Sequence, residues 1–406
     1  MKEWKTYKVG DICSSISETY KSKSKSVVLI NTSDVLEGRC LNHEFVPNKD
    51  LKGQFKKVFK FGDILYSEIR PANKRFAYID FDATDYIAST KLMVLRNNDK
   101  VTNRFLYHYL KSESTIAELQ ALAESRSGTF PQITFSELSQ LEISIPDIET
   151  QLAISSFIDT LESKIELNRQ INDNLEQQAQ ALYKSWFIDF EPFKDGKFEE
   201  SEIGLIPEGW HVGKAGDFYE INIGKTPPRK EHEWFTLDKS QNIWISISDL
   251  GLDGRFLFNS SEYLTDKAIQ KHNIVLVPED TVLLSFKLTI GRVGIAGTQL
   301  TTNEAIARFI TNSVNREYTY FLLKNFNYSK LGSTSSIATA VNSKIIKAMI
   351  VLMPSNECLL NFKKLVGPII DGIKKNEEEI LRLTALRDNL LPKLMSGELK
   401  INEIDC

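Results

Sequence analysis

What this 406-residue sequence lacks narrows its reading first. Its four cysteines, Cys13, Cys40, Cys358 and Cys406, lie far apart, with no CxxC and no metal-ligand spacing. That usage excludes a disulfide scaffold and a zinc module and fits reduced thiols in a cytoplasmic protein. No apolar run reaches the ~20 residues of a membrane span. The start, MKEWKTYKVGD, has no apolar signal-peptide core, so a soluble cytoplasmic chain with no membrane contact is expected. There is no GxGxxG. Lys225 and Thr226 follow Gly224 like the end of a phosphate-binding loop, but Tyr219 stands where its first glycine must be. The five histidines show no HExxH spacing, and His108, between Tyr107 and Tyr109, reads as a helix-surface or packing residue rather than a base. No Asn-Pro-Pro-aromatic methyltransferase signature occurs. Pro227-Pro228 lacks the residues it needs, and no nuclease-like cluster of carboxylates and lysine stands out. A chain of this size without a catalytic cluster is expected to bind or scaffold. No catalytic residue, metal ligand or bound cofactor is assigned.

What is present centres on Gln151–Phe187. Ile154, Ile158, Leu161, Ile165, Asn168, Asn172, Leu175, Ala179, Leu182 and Trp186 follow at alternating steps of four and three, with neither Pro nor Gly between them. Such spacing keeps one stripe on one side of a helix, and a lone helix cannot hide it.

The partner emerges from a repeat. Residues 1–150 read as a mixed α/β domain. Its β-like runs are Val27–Ile30, Ile64–Tyr66, Phe76–Phe81 and Leu92–Leu95, and a helix is expected over Asn103–Leu122. Residues 206–354 repeat it. Trp4, Lys8, Gly10 and Asp11 recur as Trp210, Lys214, Gly216 and Asp217. Ser33-Asp34 recurs as Ser248-Asp249, and Asp63 to Ser67 as Asp280 to Ser285. Leu138, Leu141, Ile143, Ile145 and Pro146 recur as Ile346, Met349, Val351, Met353 and Pro354. An ordered set of this kind marks an internal duplication. The same offset carries the stripe onto Phe362, Val366, Ile369, Ile373, Asn376, Ile380, Leu383, Arg387, Leu390 and Leu394, with Gly367-Pro368 able to delay the helix start. The expected order is domain 1–148, helix 149–190, linker 191–205, domain 206–354 and helix 355–398, the helices pairing antiparallel as a coiled coil. Asn168 and Asn376 either fix the register from within the seam or lie solvated at its edge.

Charge is uneven. Residues 151–205 carry 11 acidic against 5 basic residues, and residues 15–76 carry 12 basic against 7 acidic. The acidic rod suits protein partners, and the basic turns suit phosphates. Candidate DNA contacts are Lys21, Lys23, Lys25, Arg70, Asn73, Lys74, Arg75, Arg126 and Ser127 in the first copy. In the second they are Lys225, Thr226, Arg229, Lys230, Lys287, Arg292, Thr334 and Ser335.

ISIPDIETQLAISSFID at 143–159, ALYKSWFIDFEP at 181–192, PEGW at 207–210 and LRDNLLPKLMSGEL at 386–399 make the chain resemble a specificity subunit of a type I restriction–modification system. The resemblance covers essentially the whole length. It departs at Pro354–Cys358, which has lost the Pro-x-x-Glu-Gln look of Pro146–Gln151, where Glu149 and Gln151 sit. It implies two target-recognition domains, each reading half of a bipartite duplex, and helices that set the spacer and dock two modification subunits, with two restriction subunits where the host has them. S-adenosylmethionine, ATP and Mg²⁺ would sit on those partners. The competing readings are a coiled-coil protein adaptor, the specificity module of another DNA-modifying defence system, and a free-standing nuclease or methyltransferase.

Overall fold

The computed structural model describes residues 4–49, 51, 53–125, 131–251, 254–310, 314–331 and 341–403. They form two compact units. One holds the chain up to Lys164 and takes it back from Leu383, and the other is Ile165–Arg382.

In the first unit an antiparallel sheet runs in the order Cys13–Ile16, Leu92–Asn97, Ile64–Ser67, Phe76–Tyr78. Successive side chains on a strand face opposite ways. Ile64 and Tyr66 therefore enter the core under the helices, and Leu65 enters a second core on the other face. That two-sided burial explains why the strand is apolar without alternation. The second core is shared with a sheet ordered Phe45–Pro47, Ser26–Ile30, Tyr86–Ser89, Phe55–Val58, whose central pair is parallel. The helix expected over 103–122 is two helices, Asn103–Leu110 and Glu113–Glu124. Ser112 separates them: its hydroxyl accepts the Thr115 N–H at 3.3 Å and caps a new start.

The second unit repeats the plan. Its sheet is ordered Glu220–Ile223, Ile306–Ile310, Val282–Ser285, Val293–Ala296, with Phe256–Leu257 added in parallel at the edge. Val282 and Leu284 face one core and Leu283 the other. Both domains also close alike. Lys5–Lys8 pairs with Glu142–Ile145 so that Lys8 faces Glu142, and His211–Lys214 pairs with Ile350–Met353 so that Lys214 faces Ile350. In each, an Asp carboxylate then accepts the N–H of the last strand residue: Asp11 from Lys8 at 3.3 Å, Asp217 from Lys214 at 3.2 Å. The first and last strands of a domain are thus neighbours.

The stretch expected as a linker, 191–205, is folded into a short turn, Glu191–Phe193, and the hairpin strands Phe198–Ser201 and Gly204–Pro207. Aromatic packing accompanies it: the Phe190 and Phe193 rings lie 5.6 and 5.0 Å from that of Trp210, and Phe190 lies 6.0 Å from Phe198 of the hairpin.

The long helices are Ile148–Phe187 and Asn356–Ser396, 40 and 41 residues, each roughly 60 Å at 1.5 Å per residue. The second runs straight through Gly367-Pro368. Pro368 and Lys364, the residue whose carbonyl the missing N–H leaves without its helical partner, are both exposed. The pairing is antiparallel in both units: Ile154 and Ile158 share a core with Leu391 and Leu394 in one, and Ala179 with Phe362 in the other. Of the expected seam, Ile154, Ile158, Ile165, Asn168 and Ile373 are buried. Leu161, Leu175, Leu182, Ile369, Asn376, Ile380, Leu383 and Leu390 are half-buried. The most buried positions move one residue along, to Tyr183 and Phe187 beside Leu182 and Trp186, Ile370 beside Ile369, and Leu391 beside Leu390. An α-helix drifts by ~20° per heptad against a strict seven-residue repeat, which accounts for the shift. In the second unit the seam holds a polar layer. Asn168 Nδ2 donates to Glu379 Oε2 at 2.8 Å, Asn376 Nδ2 to Asn172 Oδ1 at 2.8 Å, and Asn172 Nδ2 to the Ile373 carbonyl at 3.4 Å. Asn168 and Asn172 are buried, so this polar layer lies inside the seam.

Candidate functional site

The loops that follow strands Ile64–Ser67 and Val282–Ser285 are built alike. The Ser67 N–H donates to the Arg75 carbonyl at 2.8 Å, and the Ser285 N–H to the Arg292 carbonyl at 2.9 Å. Arg75 Nη1 donates to the Ser33 and Val35 carbonyls at 3.0 and 3.4 Å, and Arg292 Nη1 to the Ile247 carbonyl at 2.7 Å. These two arginines, expected as DNA contacts, tie their loops to the turns that carry Ser33-Asp34 and Ser248-Asp249. Within the first loop, Pro71–Asn73 forms a 3-10 turn that leaves Arg70 and Asn73 exposed. The Lys74 ammonium pairs with Glu113.

The other expected contacts divide between solvent and protein. Lys21, Lys23 and Lys25 are exposed on the connection between strands Cys13–Ile16 and Ser26–Ile30. In the second domain Lys230 and Lys287 are exposed. Lys225 Nζ donates to the His272 carbonyl at 2.6 Å, and the Thr226 hydroxyl bonds to Glu304. Arg229 Nη1 donates to both Glu262 oxygens at 3.0 and 2.7 Å, and its guanidinium lies 4.2 and 4.6 Å from the ring centres of Phe235 and Trp244. Arg126, Ser127, Thr334 and Ser335 lie outside the described residues.

Sequence reasoning missed a set of ionic fastenings between each domain and the helix segments of its own unit. In the first, Asp159 meets His108 Nε2 at 3.0 Å and Arg104 at 3.5 Å, and Glu162 meets Lys111 and, at 3.7 Å, Arg387. Burial lowers the His108 pKa from its ordinary value, partly offset by the bond to Asp159. In the second, Arg255 reaches Asp173 at 2.6 Å and Glu176 at 2.8 Å, and Glu377 accepts the Arg255 and Phe256 N–H groups at 2.8 Å each. Burial raises the Glu377 pKa despite those donors. Burial alone would raise Glu176 too, but bonds from Lys324 and Tyr320 bring it below the usual carboxylate value. Arg316 joins Asp280 at 2.6 Å and Asp371 at 2.7 Å. The acid counted on the rod is thus partly spent on the chain's own domains.

Among the described residues one trio of side chains could hold a metal: His108, Asp159 and Glu162, whose ligand atoms lie within 4.8 Å of one another. Arg104 and Lys111 already bring positive charge to those carboxylates. Among the described residues no helix is long and apolar enough to cross a membrane.

Comparison with known proteins now places this architecture. The family described as "Type I restriction modification DNA specificity domain" matches residues 1–177 and again 207–358, the two copies of the repeat. The "Type I restriction enzyme HindI specificity subunit" of Haemophilus influenzae is 34% identical over 98% of this chain and 100% of its own length. The MjaIX specificity subunit of Methanocaldococcus jannaschii is 27% identical over 88% of this chain and 82% of its own length. The crystal structure of a type I restriction–modification S subunit from M. genitalium shares the fold, with a TM-score of 0.55 at 17% identity, covering 97% of this chain and 96% of that one. Two matched copies of the specificity domain and full-length similarity to specificity subunits show that the chain belongs to the type I restriction–modification specificity family.

Proposed function

We propose that each duplicated domain reads one half of a bipartite duplex target and that the paired helices set the spacer and dock two modification subunits. The observation that carries this reading is the repetition, in both domains, of one exposed loop stapled by the same serine and arginine, as expected of two recognition modules doing one task. The exposed Lys21, Lys23, Lys25, Lys230 and Lys287 supply phosphate contacts, whose affinity falls steeply with salt. Adenine methylation belongs to the modification subunits with their S-adenosylmethionine. Translocation and cleavage, with ATP and Mg²⁺, belong to restriction subunits. The assembly works in the cytoplasm.

The test uses the complex with its modification subunits. Mapping methylated adenines in cells that carry it is expected to give a two-part motif with a fixed gap. Deleting Leu161–Leu167 together with Ile380–Leu386 removes one heptad from each helix, about 10 Å, or about three base pairs at 3.4 Å rise. The gap is expected to shorten by that amount. An unchanged gap in an assembled, active complex would refute the ruler.

A further inference from the structure

The loop after strand Val282–Ser285 carries a residue that no basic-patch argument selects. Leu288 is 100% exposed and has φ +60°. An L residue with a branched apolar side chain avoids that conformation, and none of the described residues covers it. The loop is nonetheless firmly built. The fully buried Ser285 donates its hydroxyl to the Thr289 carbonyl at 2.6 Å and accepts the Arg292 N–H at 3.0 Å. Gly291, at φ +92°, packs where a Cβ would come within 3.0 Å of the Tyr328 ring.

The first domain supplies the independent observation. Three residues after Ser67, as Leu288 follows Ser285, stands Arg70, exposed and with φ +45°. Just before Arg75 stands Lys74 with φ +52°, as Gly291 stands just before Arg292. Two loops of unrelated sequence thus keep the same pair of left-handed residues and present the same position to solvent. One carries a guanidinium there and the other an isobutyl group. The backbone has been kept while the chemistry at the tip has changed, the behaviour of a reading position rather than of a structural one.

We propose that Leu288 is a specificity-determining residue of the second domain, recognising a thymine in its half-site by apolar contact with the C5 methyl group. This rests on the reading of the domains as DNA-binding modules. In the major groove the thymine methyl is the group that an apolar side chain recognises, whereas arginine pairs with guanine N7 and O6. Arg70 and Leu288 then read different bases from equivalent places.

The test uses the complex with modification subunits and duplex oligonucleotides carrying the mapped wild-type motif. Leu288→Gly removes the side chain and suits the left-handed backbone, so its melting temperature is expected to equal or exceed that of wild type. Specific binding is expected to fall at least tenfold, with discrimination lost at one A·T pair of one half-site only. Non-specific binding and its salt slope stay within about twofold. Replacing that thymine by deoxyuridine, which removes only the methyl, is expected to weaken wild type about fivefold and leave Leu288→Gly unaffected. Unchanged discrimination in Leu288→Gly overturns the proposal, and so does loss at both half-sites accompanied by a lowered melting temperature. A motif in which no deoxyuridine substitution matters overturns the methyl contact. Failure of the DNA-binding reading itself would look different: wild-type complex would show neither a motif nor salt-dependent duplex binding.

Discussion

His108 is fully buried on helix Asn103–Leu110, with Asp159, Arg104, Lys111 and Glu162 around it. Because burial lowers its pKa, the unfolded chain takes up a proton on this histidine at a pH where the folded chain does not. The stability it contributes is complete above the ordinary 6.5 and is lost as pH falls below it. The slope is at most about 1.4 kcal/mol per pH unit. Asp159 is itself held below the usual 3.8, so its titration lies well under this window. Urea denaturation is expected to show the wild type losing more stability than His108→Gln from about pH 7.5 to about pH 5.5, and equal losses would refute the assignment. At the polar layer, replacing Asn168 and Asn172 by Leu is expected to stabilise the helix pair by about 1 kcal/mol while relaxing its register. The denaturation midpoint should rise, and disulfide trapping between cysteines engineered one heptad out of register should become detectable. The stripe and its asparagines were legible from spacing alone. Their hydrogen bonds to Glu379 and to the Ile373 carbonyl were not, because spacing does not fix how two helices are rotated against each other. The strained backbone at Arg70 and Leu288 leaves no mark in composition.

The long helices were legible because one stripe recurs at alternating steps of four and three. Strands such as Ile64–Ser67 and Leu92–Asn97 were legible because they are continuous apolar runs, whereas Cys13–Ile16, Phe55–Val58 and Tyr86–Ser89 were not among the runs expected. Element ends were less legible. The break at Ser112 depends on one hydroxyl outcompeting helix continuation. The hairpin at 198–207 sets its Phe198 ring 6.0 Å from that of Phe190, a contact that Gly and charge content obscured. The fastenings between domain and helix were unreadable for another reason, since they join residues far apart in sequence. They are also where energy is concentrated. Arg255 is mostly buried against Glu176, whose side chain is 13% exposed. Arg255→Ala is expected to cost about 2 kcal/mol, as for a hydrogen-bonded charge lost from the interior. Faster amide exchange in strand Phe256–Leu257 would report it. The surface pair of Lys194 with Glu191, 58% and 53% exposed, provides the contrast. Lys194→Ala should change stability by less than about 0.5 kcal/mol. If the two variants were equally mild, the fastening would not be what holds that edge strand.

At the scale of the molecule the duplication was the most legible feature, because offsets near 208 align strands, caps and helices alike. The roles of the loop cations were the least legible. Of the basic residues expected to touch phosphate, Arg75 and Arg292 are committed to backbone carbonyls and Arg229 to Glu262. A count of charge cannot separate a cation that staples a loop from one that faces solvent. The neighbouring first and last strands of each domain have a hereditary consequence. Because Lys8 lies opposite Glu142, and Lys214 opposite Ile350, a genetic crossover on each side of a domain exchanges everything between two adjacent points and leaves both long helices intact. On the proposed function, a chimera that takes residues 9–141 from a related subunit is expected to fold, and its complex with modification subunits to methylate a hybrid motif, with one half from the donor and the other unchanged. Methylome sequencing would read this directly. New sequence preferences could then spread through a population by recombination of whole modules, without waiting for point mutations to rebuild a binding surface.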